Sequence, residues 1–381
     1  MRIGCNASVE RDNTVEDLRA IVSEESELIR WGWTPSWESR RQKPVIPGQK
    51  IARVVAVFRE KCLLRTAEGE LIGEVTGQFR HMANEMASFP VVGDWALVEM
   101  AGPDSAMVHQ LLPRKTALSR KVAGRVVREQ MFAANVDVVF VMTAFDEDFN
   151  VRRLERYIVM ARQAGMDPVV LLNKSDLAGE DDVRLGKARD VNPNGAVHRL
   201  SAKTGEGIDI VKFYLNDGKT GIFLGSSGVG KSTLLNALMG DGIQKTQPIR
   251  SSDGKGRHTT TTRQMFLLPS GGLVIDTPGL REIQLWADES ALTETFTDIA
   301  DLAKSCRYDD CKHGPEPGCA VTKAIETGIL SPARYAGYLK LQKEVAYLQS
   351  KQDPSQRGNM KRRWKSRSIL IRDYYSQKIK G

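Results

Sequence analysis

Gly225-Ser226-Ser227-Gly228-Val229-Gly230-Lys231-Ser232-Thr233 is the stretch on which the reading of this chain turns. It matches G-x-x-x-x-G-K-[ST] and lies between an apolar run, 220–224, and a helical pattern, 231–239. Glycines let the backbone close around an anion with its N–H groups pointing inward. The start of the following helix adds a field that favours negative charge. Lys231 offers a point charge to β- and γ-phosphates, and Ser232 offers a hydroxyl to Mg2+. A strand, this loop and a helix imply a nucleoside triphosphate site in an α/β domain.

Working outward, Asn173-Lys174-Ser175-Asp176 follows the apolar run 168–172 and has the N-K-x-D form of guanine recognition. A carboxylate at Asp176 can accept from guanine N1–H and the 2-amino group. Adenine has no donors there and would leave the acid unpaired, so GTP or GDP is the expected ligand. Ser201-Ala202-Lys203 follows a short strand near 197–200 and fits a loop that backs the base with main-chain N–H groups. Asp276-Thr277-Pro278-Gly279 follows 273–275 and matches D-x-x-G. There Asp276 would hold Mg2+ through water and Gly279 would offer its N–H to the γ-phosphate. Between these lies Arg257-His258-Thr259-Thr260-Thr261-Thr262, in which Thr260 and Thr261 are expected to close on Mg2+ when the γ-phosphate is present.

The order is unusual, because the guanine motifs precede the phosphate motifs. The same site can be rebuilt if the old termini are joined and new ones opened elsewhere, since domain termini often lie close together. The expected domain is therefore a circularly permuted α/β P-loop GTPase. Its γ-phosphate-sensing segment then feeds directly into whatever follows.

At 381 residues, with 41% hydrophobic residues, the chain is long enough for two or three domains. Runs 51–58, 61–65, 71–75, 91–98 and 107–112 read as short strands of a small β-barrel. A five-stranded OB-fold fits that length, and other small β domains fit it too. Residues 1 to about 45 read as an irregular extension and linker. Apolar strands at 136–145, 168–172, 197–200, 220–224, 265–268 and 273–275 alternate with helices at 152–163, 208–214 and 231–239, which implies a sheet covered on both faces. Beyond Trp286 the pattern is helical, with Ser331-Pro332 as a helix start.

Cys306, Cys311, His313 and Cys319 lie in that helical region, and three thiolates with one imidazole form a closed tetrahedral donor set of the kind that holds one structural Zn2+. Five cysteines, with three of them clustered, suit a reducing compartment better than a disulfide framework. No run of 18 apolar residues occurs and no secretory leader is evident, so a cytoplasmic protein with no membrane association is expected. The net charge of +8 resides in residues 351–381, which carry ten Lys/Arg against Asp353 and Asp373. Lys361-Arg362-Arg363-Trp364-Lys365 combines cations with a stacking aromatic, as RNA-binding segments do.

Together these residues resemble the RsgA/YjeQ family of circularly permuted GTPases that depend on the small ribosomal subunit. The resemblance covers roughly 45–350, and Pro90-Val91-Val92-Gly93-Asp94-Trp95 looks like the family's OB-fold signature. It implies an N-terminal β-barrel (OB-fold) at 46–115 after an extension at 1–45. It further implies a permuted GTPase domain at 116–288 and an α-helical zinc-binding domain at 289–350, while the extension and the basic tail at 351–381 are read from the residues themselves. By resemblance the chain is a GTP hydrolase that acts, as a monomer, in late maturation of the small (30S) ribosomal subunit. It would bind rRNA, be stimulated by the subunit and be released on hydrolysis. Leu280 stands where Ras-like enzymes carry a water-orienting glutamine, so His258, beside Lys231 and Gly279, becomes a catalytic candidate. Gly228 stands where potassium-activated GTPases carry asparagine, which gives no support to that ion dependence. Competing readings are a permuted GTPase acting on the large subunit or another RNA, a GTP-dependent RNA-binding adaptor with little turnover, and a P-loop kinase or ATPase.

Overall fold

A computed structural model describes residues 27–41, 47–58, 60–83, 88–121, 129–179, 182–240, 263–277, 287–314 and 316–352. His258, Thr260, Thr261, Gly279, Leu280 and most of the basic tail lie outside the described residues.

Five strands make the barrel: β1 (Gln49–Val57), β2 (Lys61–Arg65), β3 (Glu70–Val75), β4 (Trp95–Gly102) and β5 (Ser105–Leu111). They run in the order β1-β2-β3-β5-β4, and β4 pairs back to β1 to close the ring, with β3 and β5 parallel. Helix Gly77–Met82 bridges β3 and β4, its N-terminus capped by Thr76. This is the OB-fold expected. Alternate residues point inward, and Ala52, Val54, Leu64, Ala96, Val98 and Val108 fill the interior. The expected strand 91–98 starts late. Val91 to Asp94 forms a turn in which the Asp94 carboxylate accepts from Val91 N at 2.8 Å. Gly93 takes φ +96 there, and a Cβ would lie 2.0 Å from the Ala134 carbonyl oxygen.

The second layer system is built on β8 (Val138–Ala144), β9 (Pro168–Asn173), β10 (Val197–Arg199), β11 (Thr220–Gly225), β12 (Arg263–Leu267) and β13 (Leu273–Asp276). Their order is β10-β9-β8-β11-β13-β12, and every pair is parallel except β12 with β13. Every residue of β8, β9 and β11 is buried, as a sheet covered on both faces requires. The chain steps outward from β8 to β10, then returns to place β11 on the other side of β8. That reversal makes a crevice at the carboxyl ends of β8 and β11, where ligands of open α/β sheets bind.

Two features were not anticipated. A hairpin, β6 (Ala117–Lys121) with β7 (Glu129–Ala134), joins the barrel to the second sheet. In addition, β1 pairs antiparallel with β12 at Ala56↔Gln264 and Val57↔Arg263, so one eleven-stranded sheet runs through both units.

The expectation of an irregular extension over 1–45 is corrected in its described part. Pro35–Arg40 is a helix with Pro at its start. Trp31 and Trp37 are buried in the main core, and Trp33 meets Trp95 edge-on at 4.8 Å. Indoles of this size bury so much apolar area that they draw their backbone onto the core.

Helices Glu289–Thr295, Thr297–Lys304, Ala320–Glu326 and Pro332–Gln352 form the C-terminal unit. The last begins where Ser331-Pro332 implies, with Ser331 Oγ accepting from Arg334 N at 3.5 Å. It packs beside helix Val151–Gln163, which covers one face of the sheet with Leu154, Tyr157, Ile158 and Ala161.

Candidate functional site

The loop 225–230 leaves β11 and turns directly into helix Lys231–Met239. Gly228 and Gly230 hold φ +80 and +102, a region closed to most side chains. At Gly230 space is also decisive, because a Cβ would lie 2.1 Å from Asn173 Nδ2. Lys231 Nζ donates to the carbonyls of Gly225 at 2.7 Å and Ser226 at 2.6 Å, so its cation is held at the loop's own curvature. Ser227, Gly228, Ser232 and Thr233 are exposed, and Val229 is buried beneath them.

Asn173 ends β9 and is 3% exposed. Its Nδ2 donates to Val229 O at 2.8 Å, and its Oδ1 accepts from Ala202 N at 2.9 Å. One amide therefore ties the phosphate loop to the 201–203 loop. Lys174 follows in the left-handed region at φ +63, which turns the chain so that Ser175 points inward and Asp176 outward. Asp176 is exposed, and its Oδ1 accepts from Ser201 Oγ at 2.6 Å. That hydrogen bond holds its carboxyl below the usual range, so it is ionised and ready to accept from donors. Ser175 Oγ donates to Glu206 Oε2 at 2.9 Å, and Lys203 is exposed beside them.

Asp276 ends β13, the neighbour of β11. Burial pushes its carboxyl upward, against the field of Lys231. Lys231 is itself pushed down by burial, and Asp276 opposes that shift. A half-buried acid at the end of β13 and a half-buried cation at the start of the helix after β11 thus feel each other's charge, a pairing suited to a divalent cation bound with phosphate.

Three residues at the site were missed by sequence reasoning. Asp146 and Asp148 leave β8 toward the same crevice: Lys174 Nζ donates to Asp146 Oδ2 at 2.6 Å, and Ser226 Oγ donates to Asp148 Oδ2 at 2.6 Å. Glu206 is likewise absent from any motif. The one signal for the aspartates was an acidic triplet directly after a fully buried strand.

In the C-terminal unit Cys306, Cys311, His313 and Cys319 bring their donor atoms within 4.8 Å of one another. A tetrahedral zinc with ordinary bond lengths has sulfur–sulfur edges of about 3.8 Å and sulfur–nitrogen edges of about 3.5 Å. Here Cys306 and Cys319 sulfurs are 4.0 Å apart, and His313 Nδ1 lies 3.5 Å from Cys306 and 3.7 Å from Cys319. His313 takes φ +52 to reach that place. Thr322 N at 3.4 Å from Cys319 Sγ and His313 N at 3.4 Å from Cys311 Sγ suit thiolate acceptors. The donor set therefore fits zinc.

A family model described as RsgA GTPase matches residues 111–286. The small ribosomal subunit biogenesis GTPase RsgA of Opitutus terrae is 46% identical over 324 residues, covering 82% of this chain and 88% of that protein. The chain belongs to the RsgA GTPase family. Its similarity extends to the protein of the same name from Leptospira interrogans, 38% identical across 90% of this chain and 95% of the relative. Among solved structures, YjeQ from Thermotoga maritima superimposes with a TM-score of 0.58 at 28% identity, covering 78% of this chain and 99% of that one. YloQ, described as a circularly permuted GTPase, shares the fold with a TM-score of 0.55. The permuted strand order thus belongs to the family, and the chain is a GTP hydrolase by membership.

Proposed function

We propose that this chain binds GTP and GDP with Mg2+, hydrolyses GTP, and acts in maturation of the small ribosomal subunit, contacting its rRNA. The observation that carries the reading is the Asn173 side chain. It joins Val229 of the phosphate loop to Ala202 of the base loop, so one amide brings motifs separated in sequence into one cleft.

In this reading Asp176 pairs with guanine N1–H and the 2-amino group, with Ala202 and Lys203 backing the base. Asn173 and Ser175 hold that loop, Ser201 fixing Asp176. The N–H groups of 226–233 cradle phosphate, and Lys231 places its cation at the β- and γ-oxygens. Mg2+, when bound, would neutralise charge on those oxygens, held by Ser232, by Asp276 through water, and by Thr260 or Thr261. Water attacks the γ-phosphorus as its bond to the β-phosphate oxygen breaks, leaving GDP and phosphate. Gly279 N–H would steady the γ-phosphate, and His258 would orient the water.

The Cys306, Cys311, His313 and Cys319 set would hold one structural Zn2+. We take 46–115, 116–288, 289–350 and 351–381 as the working units after the 1–45 segment. The protein would act as a cytoplasmic monomer away from membranes. No helix among the described residues is long and apolar enough to cross one.

The test is steady-state hydrolysis of GTP and ATP with and without purified small subunits. GTP-selective turnover that rises sharply with subunits supports the reading. Turnover indifferent to subunits removes the ribosomal assignment.

A further inference from the structure

We propose that Asp146 and Asp148 are positioning residues of the nucleotide site, one short loop holding the base-reading Lys174 and the phosphate-loop Ser226 in a common register. The inference rests on the reading of 173–176 and 225–233 as that site.

The loop leaves β8, the strand that separates β9 from β11. It therefore emerges between the two motif-bearing strands. Each aspartate bonds to a different motif: Lys174 Nζ to Asp146 Oδ2 at 2.6 Å, and Ser226 Oγ to Asp148 Oδ2 at 2.6 Å. Both distances belong to charge-assisted hydrogen bonds. The loop is itself fastened. Asp146 Oδ1 accepts from Asp148 N at 3.0 Å, and Asp146 O accepts from Arg184 at 3.2 Å. Arg153, on the first turn of helix Val151–Gln163, donates to Asp148 Oδ2 at 2.7 Å, and that turn is capped by Asn150. Burial opposes ionisation of Asp148, but the bonds from Ser226 and Arg153 outweigh it and hold its carboxyl below the ordinary range.

Nothing in this arrangement needs the acids for folding of the sheet. Asp146 and Asp148 are partly exposed, and the core beneath is complete without them. Their bonds instead restrain two side chains whose place matters only to a ligand. Lys174 sits at a left-handed turn and Ser226 on a glycine-rich loop, so both would otherwise sample several positions. Restraining them in advance lowers the ordering cost at binding and should act on GTP and GDP alike.

The experiment measures the affinity of a fluorescent GDP and the steady-state kinetics of GTP for Asp148→Asn, Ser226→Ala, their double variant and Asp146→Asn, with thermal melting of each nucleotide-free protein. Each single variant at the Ser226–Asp148 pair is expected to weaken GDP binding about tenfold. The double variant should be no worse than the weaker single. Asp146→Asn should raise KM for GTP with kcat unchanged, the signature of lost uniform binding. Melting temperatures that fall while GDP affinity stays put would make the loop merely structural and overturn the proposal. Additive effects at the pair would overturn it too. Asp176→Ala separates the two readings. If it abolishes guanine nucleotide binding while the loop variants bind normally, the site stands and the proposal falls. If it binds normally, the site itself is misread.

Discussion

Gly230 and Asn173 make a test in which two substitutions should partly cancel. Asn173→Ala deletes an amide that is 3% exposed and leaves Val229 O and Ala202 N without their partners. Each buried group left unpaired costs about 1–3 kcal/mol, so the change should cost about 2–5 kcal/mol in stability and nucleotide affinity combined. Gly230→Ala attacks the same bond from the other side, since its Cβ would lie 2.1 Å from Asn173 Nδ2 and its φ is +102. Alone it forces the amide away and adds backbone strain of about 1–2 kcal/mol. With Asn173 already truncated, the clash has no object and only the strain remains. Calorimetric titration with GDP and thermal melting of the free protein, on both singles and the double, give the cycle. The double variant should be better by at least about 1 kcal/mol than the sum of the singles. Additive losses, or an Asn173→Ala cost inside about 0.5 kcal/mol, would refute the claim that this amide joins the two loops.

Three further outcomes are expected. Asp276→Ala should lower Mg2+-dependent hydrolysis by about 100-fold or more while GDP affinity changes little, and equal losses in a paired assay would deny it the metal role. Metal analysis of the purified protein should find one zinc per chain, and a strong chelator should lower the melting temperature of the C-terminal unit; zinc-free protein that melts identically would dismiss the site. Arg334→Met should destabilise by about 2–3 kcal/mol, because Glu155, 0% exposed, loses the guanidinium that donates to it at 2.9 Å and keeps only Arg152 at 3.3 Å. Urea titration should show Arg334→Met with Glu155→Leu recovering much of that loss, and a single-variant cost under about 1 kcal/mol would show the pair to be inert.

What the sequence made legible follows from range. Helices Ile208–Tyr214 and Lys231–Met239 and strand β2 fall where periodicity and glycine punctuation place them, because local chemistry decides them. The clustering of Cys306, Cys311, His313 and Cys319 was legible from spacing alone, since four donors within 14 residues and tight turns readily meet at one point. The motif residues 173–176 and 225–232 were legible because each carries its own chemistry. Asp146, Asp148 and Glu206 were not, as their meaning comes only from partners 28 to 78 residues away. The tryptophans at 31, 33 and 37 were misread for the opposite reason. Prolines and polar neighbours gave the segment a linker's texture, while the deciding term was burial against Trp95, invisible until the barrel is folded.

The two junctions of the GTPase unit differ in kind, and the difference bears on what nucleotide can move. Toward the barrel the contact is a continuous sheet, with Arg53 fully buried beneath it. Arg53 donates to Asn135 O at 3.3 Å and Thr220 Oγ1 at 3.2 Å and lies 4.7 Å from the Trp95 ring centroid. Burial pushes its pKa down to about 10, against the fields of Asp137 and Asp94, and it stays charged at neutral pH. Sliding that junction would strip backbone pairs and strand a buried cation, so barrel and GTPase should move as one body. Toward the C-terminal unit the polar contacts are long side chains on one helix. Arg156 meets Glu344 at 2.7 Å, Arg334 meets Glu155, and Gln163 Oε1 accepts from Asp288 N at 2.6 Å. The part-exposed Arg156–Glu344 pair can be exchanged for neighbours at little cost, whereas the buried Arg334–Glu155 pair and the core that Leu154 and Ile158 share with Leu292 and Phe296 cannot. The permuted order sends the chain from Asp276 into this second junction. The same helix carries Arg153, the partner of Asp148, on its first turn. The C-terminal unit therefore meets the phosphate side of the GTPase unit both through the chain that follows Asp276 and through the helix that carries Arg153.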